Sequence, residues 1–205
     1  DPFVFDENQI IRLTLGHLTI TESLSIDGPG SNLLTIDGGG NSRVIRVSEG
    51  NAKVSIAGLT LSGGFTNAAG ASGGGIQFLS SGALTLRESV VSANQTGGDN
   101  SRGGGIYSSA GTVILDDSIV RNNSTSGSNA TGGGVHASGG LIAVDSTIAM
   151  NMTSGAGAQG GGVFAQRQSG NAVQLTRSSV TNNSTMGTDT EGGGIATDMG
   201  AIRLS

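Results

Sequence analysis

From residue 103 to residue 125 the chain reads Gly-Gly-Gly-Ile-Tyr-Ser-Ser-Ala-Gly-Thr-Val-Ile-Leu-Asp-Asp-Ser-Ile-Val-Arg-Asn-Asn-Ser-Thr, and its parts recur throughout the sequence. A glycine triplet followed by Ile or Val occurs five times. The apolar residues are Ile76, Ile106, Val135, Val163 and Ile195, at steps of 30, 29, 28 and 32. A short apolar alternation follows each triplet: Leu84/Leu86, Val113/Leu115, Ile142/Val144, Val173/Leu175 and Ile202/Leu204, with Leu24/Ile26 and Val54/Ile56 upstream. The sharpest series is Ser-x-Val/Ile-x-x-Asn-x-Thr. It runs through Ser89/Val91/Asn94/Thr96, Ser118/Val120/Asn123/Thr125, Ser146/Ile148/Asn151/Thr153 and Ser178/Val180/Asn183/Thr185.

Three motifs repeating together at one period are the signature of a solenoid. Each repeat holds three short segments of period-2 alternation separated by Gly, Asn, Ser and Asp, and none shows helical i, i+3, i+4 spacing. Three strands per repeat make one triangular coil, and stacking pairs each strand with its equivalent about 4.8 Å away. The expected fold is therefore all-β, a right-handed parallel β-helix of about six coils, each about 30 residues with three short strands. The inward residues then form ladders of Ile, Val and Leu. A core one side chain wide explains how a folded chain manages with 35% hydrophobic and 3% aromatic residues.

The rest of the composition narrows the function classes. With 38 glycines placed at regular steps, the bias reads as turning backbone rather than disorder. There is no cysteine, so disulfides and thiolate metal sites are out of reach. Ten basic residues scattered singly, in a chain of net charge −5, give no nucleic-acid footprint. No apolar run is long enough for a transmembrane segment. Asp1-Pro2-Phe3-Val4-Phe5 lacks a charged n-region, so the chain reads as mature or as an excerpt.

The glycine triplets mark tight bends at the start of a strand. A phosphate-cradling loop would need a following helix and usually a Lys, and neither is present. Stacked Asn amides can hydrogen-bond along a ladder and satisfy a corner of the coil. The same residues create N-x-Ser/Thr sequons at Asn94, Asn122, Asn123, Asn129, Asn151 and Asn183, which would carry glycans in a glycosylating secretory route. Loops at 97–102, 126–131, 154–159 and 186–191 are expected along one edge of the helix.

Chemistry has one candidate column. Glu88, Asp117 and Asp145, with Asp116 beside them, precede the repeated Ser and would stack into an acidic strip for a cation or a polyuronate. Arg177 takes the fourth position. The competing reading is a solvated corner, because the column arises from the repeat itself. No catalytic residue, resident metal or cofactor is read from the sequence. His17 and His136 have no repeat partner and are expected at the surface, with Tyr107 and Phe164 as packing or surface positions just after the triplets.

The run Leu18-Thr19-Ile20, Ser23-Leu24-Ser25-Ile26-Asp27-Gly28-Pro29-Gly30, Asn32-Leu33-Leu34-Thr35-Ile36 and Val54-Ser55-Ile56-Ala57-Gly58-Leu59-Thr60-Leu61, with the GGGI and SxV-xxN elements, resembles the bacterial secreted right-handed β-helix repeat proteins. It is also similar to the polymorphic outer-membrane adhesin passengers, whose repeats carry GGAI and FxxN motifs. Here the second motif is aliphatic, Val91-x-x-Asn94 and Val120-x-x-Asn123. The resemblance spans about Ile11 to Leu204. It implies an extracellular or cell-surface setting and adhesion, and it carries over no catalytic residue.

The organisation expected is an N-terminal non-repeat segment, 1–10, and a β-helix domain, 11–205, whose last coil, 192–205, is incomplete. An open coil edge invites strand addition. Phe3, Val4 and Phe5 of one molecule are thus candidate donors to the edge formed by Ile195, Ile202 and Leu204 of another. Further coils of a longer chain would cover the same edge. The function expected is a non-enzymatic surface protein, either a head-to-tail filament subunit or an adhesin scaffold. Its partner would be itself, or host or matrix glycans, with a carbohydrate-binding module or polysaccharide lyase or hydrolase as the alternative.

Overall fold

The computed structural model describes residues 7–48 and 50–205, and among them every regular element is a β-strand. The strands stack in parallel on their equivalents in neighbouring repeats, as the motif spacing requires. Val90 pairs with Ile119, Ile119 with Thr147 and Thr147 with Ser179, steps of 29, 28 and 32 residues. The fold is a parallel β-solenoid.

Its walls are three sheets. One has seven strands: Gln9–Arg12, Leu34–Asp37, Thr60–Ser62, Val90–Ser92, Ile119–Arg121, Thr147–Ala149 and Ser179–Thr181. Seven rungs therefore exceed the six that the motifs suggest, because Gln9–Arg12 carries none of the repeated residues. A second sheet has five two- or three-residue strands, from Phe65–Thr66 to Ser184–Met186. The third has twelve strands and absorbs two of the expected faces as side-by-side columns. One column continues the glycine triplets, as in Ile106–Ser108, and the other is the apolar alternation, as in Thr112–Asp116. Val163–Thr176 runs through both columns as a single strand, and Ile195–Leu204 pairs along it with three register irregularities. Each middle coil thus has four strand segments on three walls. The fourth, such as Gln95–Thr96, follows the Asn and is too short to show in a hydrophobic pattern.

The core is a set of ladders. Ile36, Leu61, Val91, Val120 and Ile148 stack in register on one wall, and Val54, Leu84, Val113, Leu141 and Val173 on another, all buried. Each fully buried aliphatic side chain contributes about 1.5–3 kcal/mol. One rung corrects the sequence pattern. Leu141 and Ala143 face inward, pairing with Val113 and Leu115, so Ile142 and Val144 lie on the outer face. The run Leu141-Ile142-Ala143-Val144 is apolar at every position, so alternation cannot choose its phase; the register with neighbouring strands does.

Candidate functional site

Two corners of each coil take left-handed backbone, five residues apart. At the first, Glu88, Asp117, Asp145 and Arg177 have φ of 46°, 48°, 49° and 48°. At the second, Ala93, Asn122, Met150 and Asn182 have φ of 54–56°. Gly58 and Gly63 occupy the equivalent places one coil earlier, with φ of 61° and 64°. Asp is among the few non-glycine residues that tolerate this conformation, so the acidic column has a backbone reason to exist.

Behind the first corner runs a serine ladder. The backbone N–H of Ser89, Ser118 and Ser146 donates to the hydroxyl of Ser118, Ser146 and Ser178 at 3.2, 3.0 and 3.0 Å. Two of the four carboxylates outside it are paired with arginines. Arg177 grips Asp145 through two contacts of 2.7 and 2.6 Å, which holds the Asp145 carboxyl below its ordinary range. Arg87 lies 3.6 Å from Asp116. Among the described residues no group of three or more His, Asp or Glu side chains is arranged to hold a metal ion. Glu88, Asp116, Asp117 and Asp145 are thus brought to one corner, but not into a cluster.

Behind the second corner lies the asparagine ladder, and it is interior. The Asn123 Oδ1 accepts from the backbone N–H and the Nδ2 of Asn94, both at 3.0 Å, and the Asn123 Nδ2 donates to the Val91 carbonyl and to Asn151 Oδ1. Asn151 and Asn183 repeat the pattern one coil on. The third glycine of the first four triplets packs against these amides. A Cβ on Gly105 would sit 2.9 Å from Asn123 Cγ, and one on Gly134 2.9 Å from Asn151 Cγ. The first glycine, such as Gly103 or Gly132, supplies positive φ at the bend. Triplet and asparagine are therefore one structural unit, two motifs that the sequence shows separately. Of the sequon residues, Asn94, Asn123 and Asn151 are buried in this ladder, Asn183 is partly exposed at its end, and Asn122 and Asn129 are exposed.

A third feature lies on the outer side of the twelve-strand sheet. The second residues of successive strands form a column in register: Thr19, Arg46, Gln77, Tyr107, His136 and Phe164. His136 is not the surface residue expected; it is 2% exposed, stacked on Phe164 at 5.1 Å between centroids and tilted against Tyr107 at 5.4 Å. Its ring nitrogens meet the Thr131 and Ser138 hydroxyls at 2.7 and 3.2 Å. Burial, helped by the nearby charge of Arg102, pushes its pKa down to about 3. The loops do line up along one edge, where Arg102, Thr131, Gln159 and Glu191 bridge in series. Beside that edge Gly70, Ser72, Gln77, Leu79, Asn100, Arg102 and Tyr107 line an open cleft of about 360 Å³. For Gln77, Tyr107, His136 and Phe164 the signal was available in the sequence as the position after GGGI/V, but the residue types differ from coil to coil.

At the ends the same ladders that are sealed in the middle lie open. Leu24 is 44% exposed, Ile202 45% and Leu204 71%, while their rung equivalents Leu84 and Leu86 are at 0%. Ile195 is partly buried. Phe3, Val4 and Phe5, the proposed donors, lie outside the described residues. No described helix is long and apolar enough to cross a membrane. Comparison with family models, with curated proteins and with solved structures finds no match to this chain.

Proposed function

We propose that the protein is a non-enzymatic structural solenoid of the cell surface, a subunit whose end coils stack head to tail on further copies of itself. The observation that carries this reading is the register of a single ladder, Leu24, Val54, Leu84, Val113, Leu141, Val173 and Ile202, which offers the same apolar position for stacking at every rung. The last described rungs present parallel strand edges whose apolar columns continue those of the first rungs, so a second copy set end to end meets the same pattern that joins one coil to the next. Unpaired parallel edges accept strands, and a contact between two different surfaces of the same molecule propagates rather than closes. Sealing each exposed Leu or Ile adds about 1.5–3 kcal/mol, against the orientation cost of association. The extracellular setting rests on the resemblance to secreted β-helix repeat proteins. A polysaccharide lyase or hydrolase is disfavoured because the acidic corner is divided between backbone duty and the Arg87 and Arg177 pairs.

Sedimentation velocity of the full chain over a wide concentration range tests the proposal. The expected result is growth of mass with concentration, lost in the double variant Ile202→Lys/Leu204→Lys while the melting curve stays cooperative. A single-chain mass at every concentration overturns it.

A further inference from the structure

From the outer column we infer a lateral binding site for an acidic, carboxylated glycan, running along the solenoid axis over Arg46, Gln77 and Tyr107 with Arg102 at its edge. This goes beyond end stacking, since a chain that never associates can still bind along its side. The first argument is charge. Arg46 and Arg102 stand on this flank and, like the basic residues other than Arg12, Arg87 and Arg177, make no ion pair among the described residues, so their charge is open to a ligand. Burial, and after it the nearby charges of Arg43 and Arg46, hold the His17 pKa down, which places both guanidinium groups near this flank. Burial of the Arg43 side chain leaves its Nε enclosed with no hydrogen-bond partner among the described residues.

The second argument is shape. Tyr107 is half-buried and flanked on the next rung by His136, whose ring is tilted against it at 5.4 Å, and it borders the cleft on its other side. An aromatic face set among amides and hydroxyls suits the apolar side of a sugar ring, with the polar groups taking its hydroxyls. Gln77 is oriented by Arg46, whose Nε donates to the Gln77 Oε1 at 3.3 Å, leaving the amide N–H groups free to donate. Asn100 and Ser72 line the same cleft. The third argument is spacing. Arg46, Gln77 and Tyr107 stand on successive rungs, about 4.8 Å apart, a repeat that a linear polymer of sugar rings can follow. Guanidinium groups recognise carboxylates through paired, charge-assisted hydrogen bonds. A nucleic acid fits less well, because three arginines on an acidic protein neutralise too few phosphates.

The chain has one tyrosine and no tryptophan, so its intrinsic emission reports on Tyr107 alone. The experiment titrates the full chain with trigalacturonate, with a neutral galactose trisaccharide and with a single-stranded DNA oligomer, following tyrosine emission and calorimetry. Trigalacturonate is expected to change the emission saturably and the neutral sugar to leave it flat. Arg46→Gln and Arg102→Gln, both solvent-accessible positions, are expected to weaken the acidic sugar by about tenfold each with unchanged melting curves. No saturable response to trigalacturonate, equal affinity in both variants, or tighter binding of the DNA would each overturn the inference.

Discussion

The two left-handed corners of a coil share nearly the same backbone, each setting an exposed residue of positive φ before a buried polar one, yet the repeat that names the corner is the buried residue at the asparagine corner and the exposed one at the acidic corner. At the asparagine corner the amides of Asn94, Asn123 and Asn151 are buried and bonded above and below. At the acidic corner, Glu88, Asp117 and Asp145 stand exposed while Ser89, Ser118 and Ser146 bond behind them. The difference teaches that a residue repeated in register can mark either of two things. Asn is repeated because its side chain completes a buried network, and Asp because its backbone accepts a positive φ. Only the first is sensitive to the loss of the side chain.

Breaking the asparagine corner should have the largest effect. Asn123→Ala leaves the Asn94 N–H, the Val91 carbonyl and the Asn151 amide short of partners, and a loss of about 3–5 kcal/mol is expected in denaturant unfolding. Gly134→Ala pushes a methyl against the Asn151 amide and the Gly162 carbonyl, with an expected loss of about 2–3 kcal/mol in the same measurement.

A buried titrating group sharpens the contrast from the outer wall. His136 has a folded pKa of about 3 against an ordinary value of 6.5, so below pH 6.5 the unfolded chain binds the extra proton. Its contribution is complete above pH 6.5 and shrinks as pH falls towards 3. Between pH 6.5 and 5 this amounts to about 2 kcal/mol. His136→Phe should remove that part of the slope, and urea unfolding at the two pH values in both proteins would read the difference. The smallest effect is expected at the acidic corner. Asp117→Gly keeps the positive φ and Arg177→Ala removes only an exposed ion pair, so neither should shift the melting temperature measurably. A clear loss in either would mean that the two corners are energetically alike.

Much of this architecture is legible without coordinates. The steps between Ile76, Ile106, Val135 and Val163 are the coil, and Ser-x-Val-x-x-Asn-x-Thr already contains the buried amide ladder. The alternation failed at Leu141–Val144, where four apolar residues leave the phase open, and the two-residue strand Gln95–Thr96 carries no pattern to read. The acidic column was legible as a column, but not its division by Arg87 and Arg177, since ion pairing depends on side-chain reach across coils.

By itself, then, the sequence determined the period, the parallel stacking and the ladder identities, because a solenoid's contacts lie one repeat apart and each repeat states them again. Tertiary structure decided what stood alone in its repeat. It buried His136 between Tyr107 and Phe164, set the third glycine of four triplets against an asparagine amide, and gathered Arg46, Gln77, Arg102 and Tyr107 on one flank. Those residues differ in kind, so no internal repetition announces them; only the folding of loop onto wall places them together.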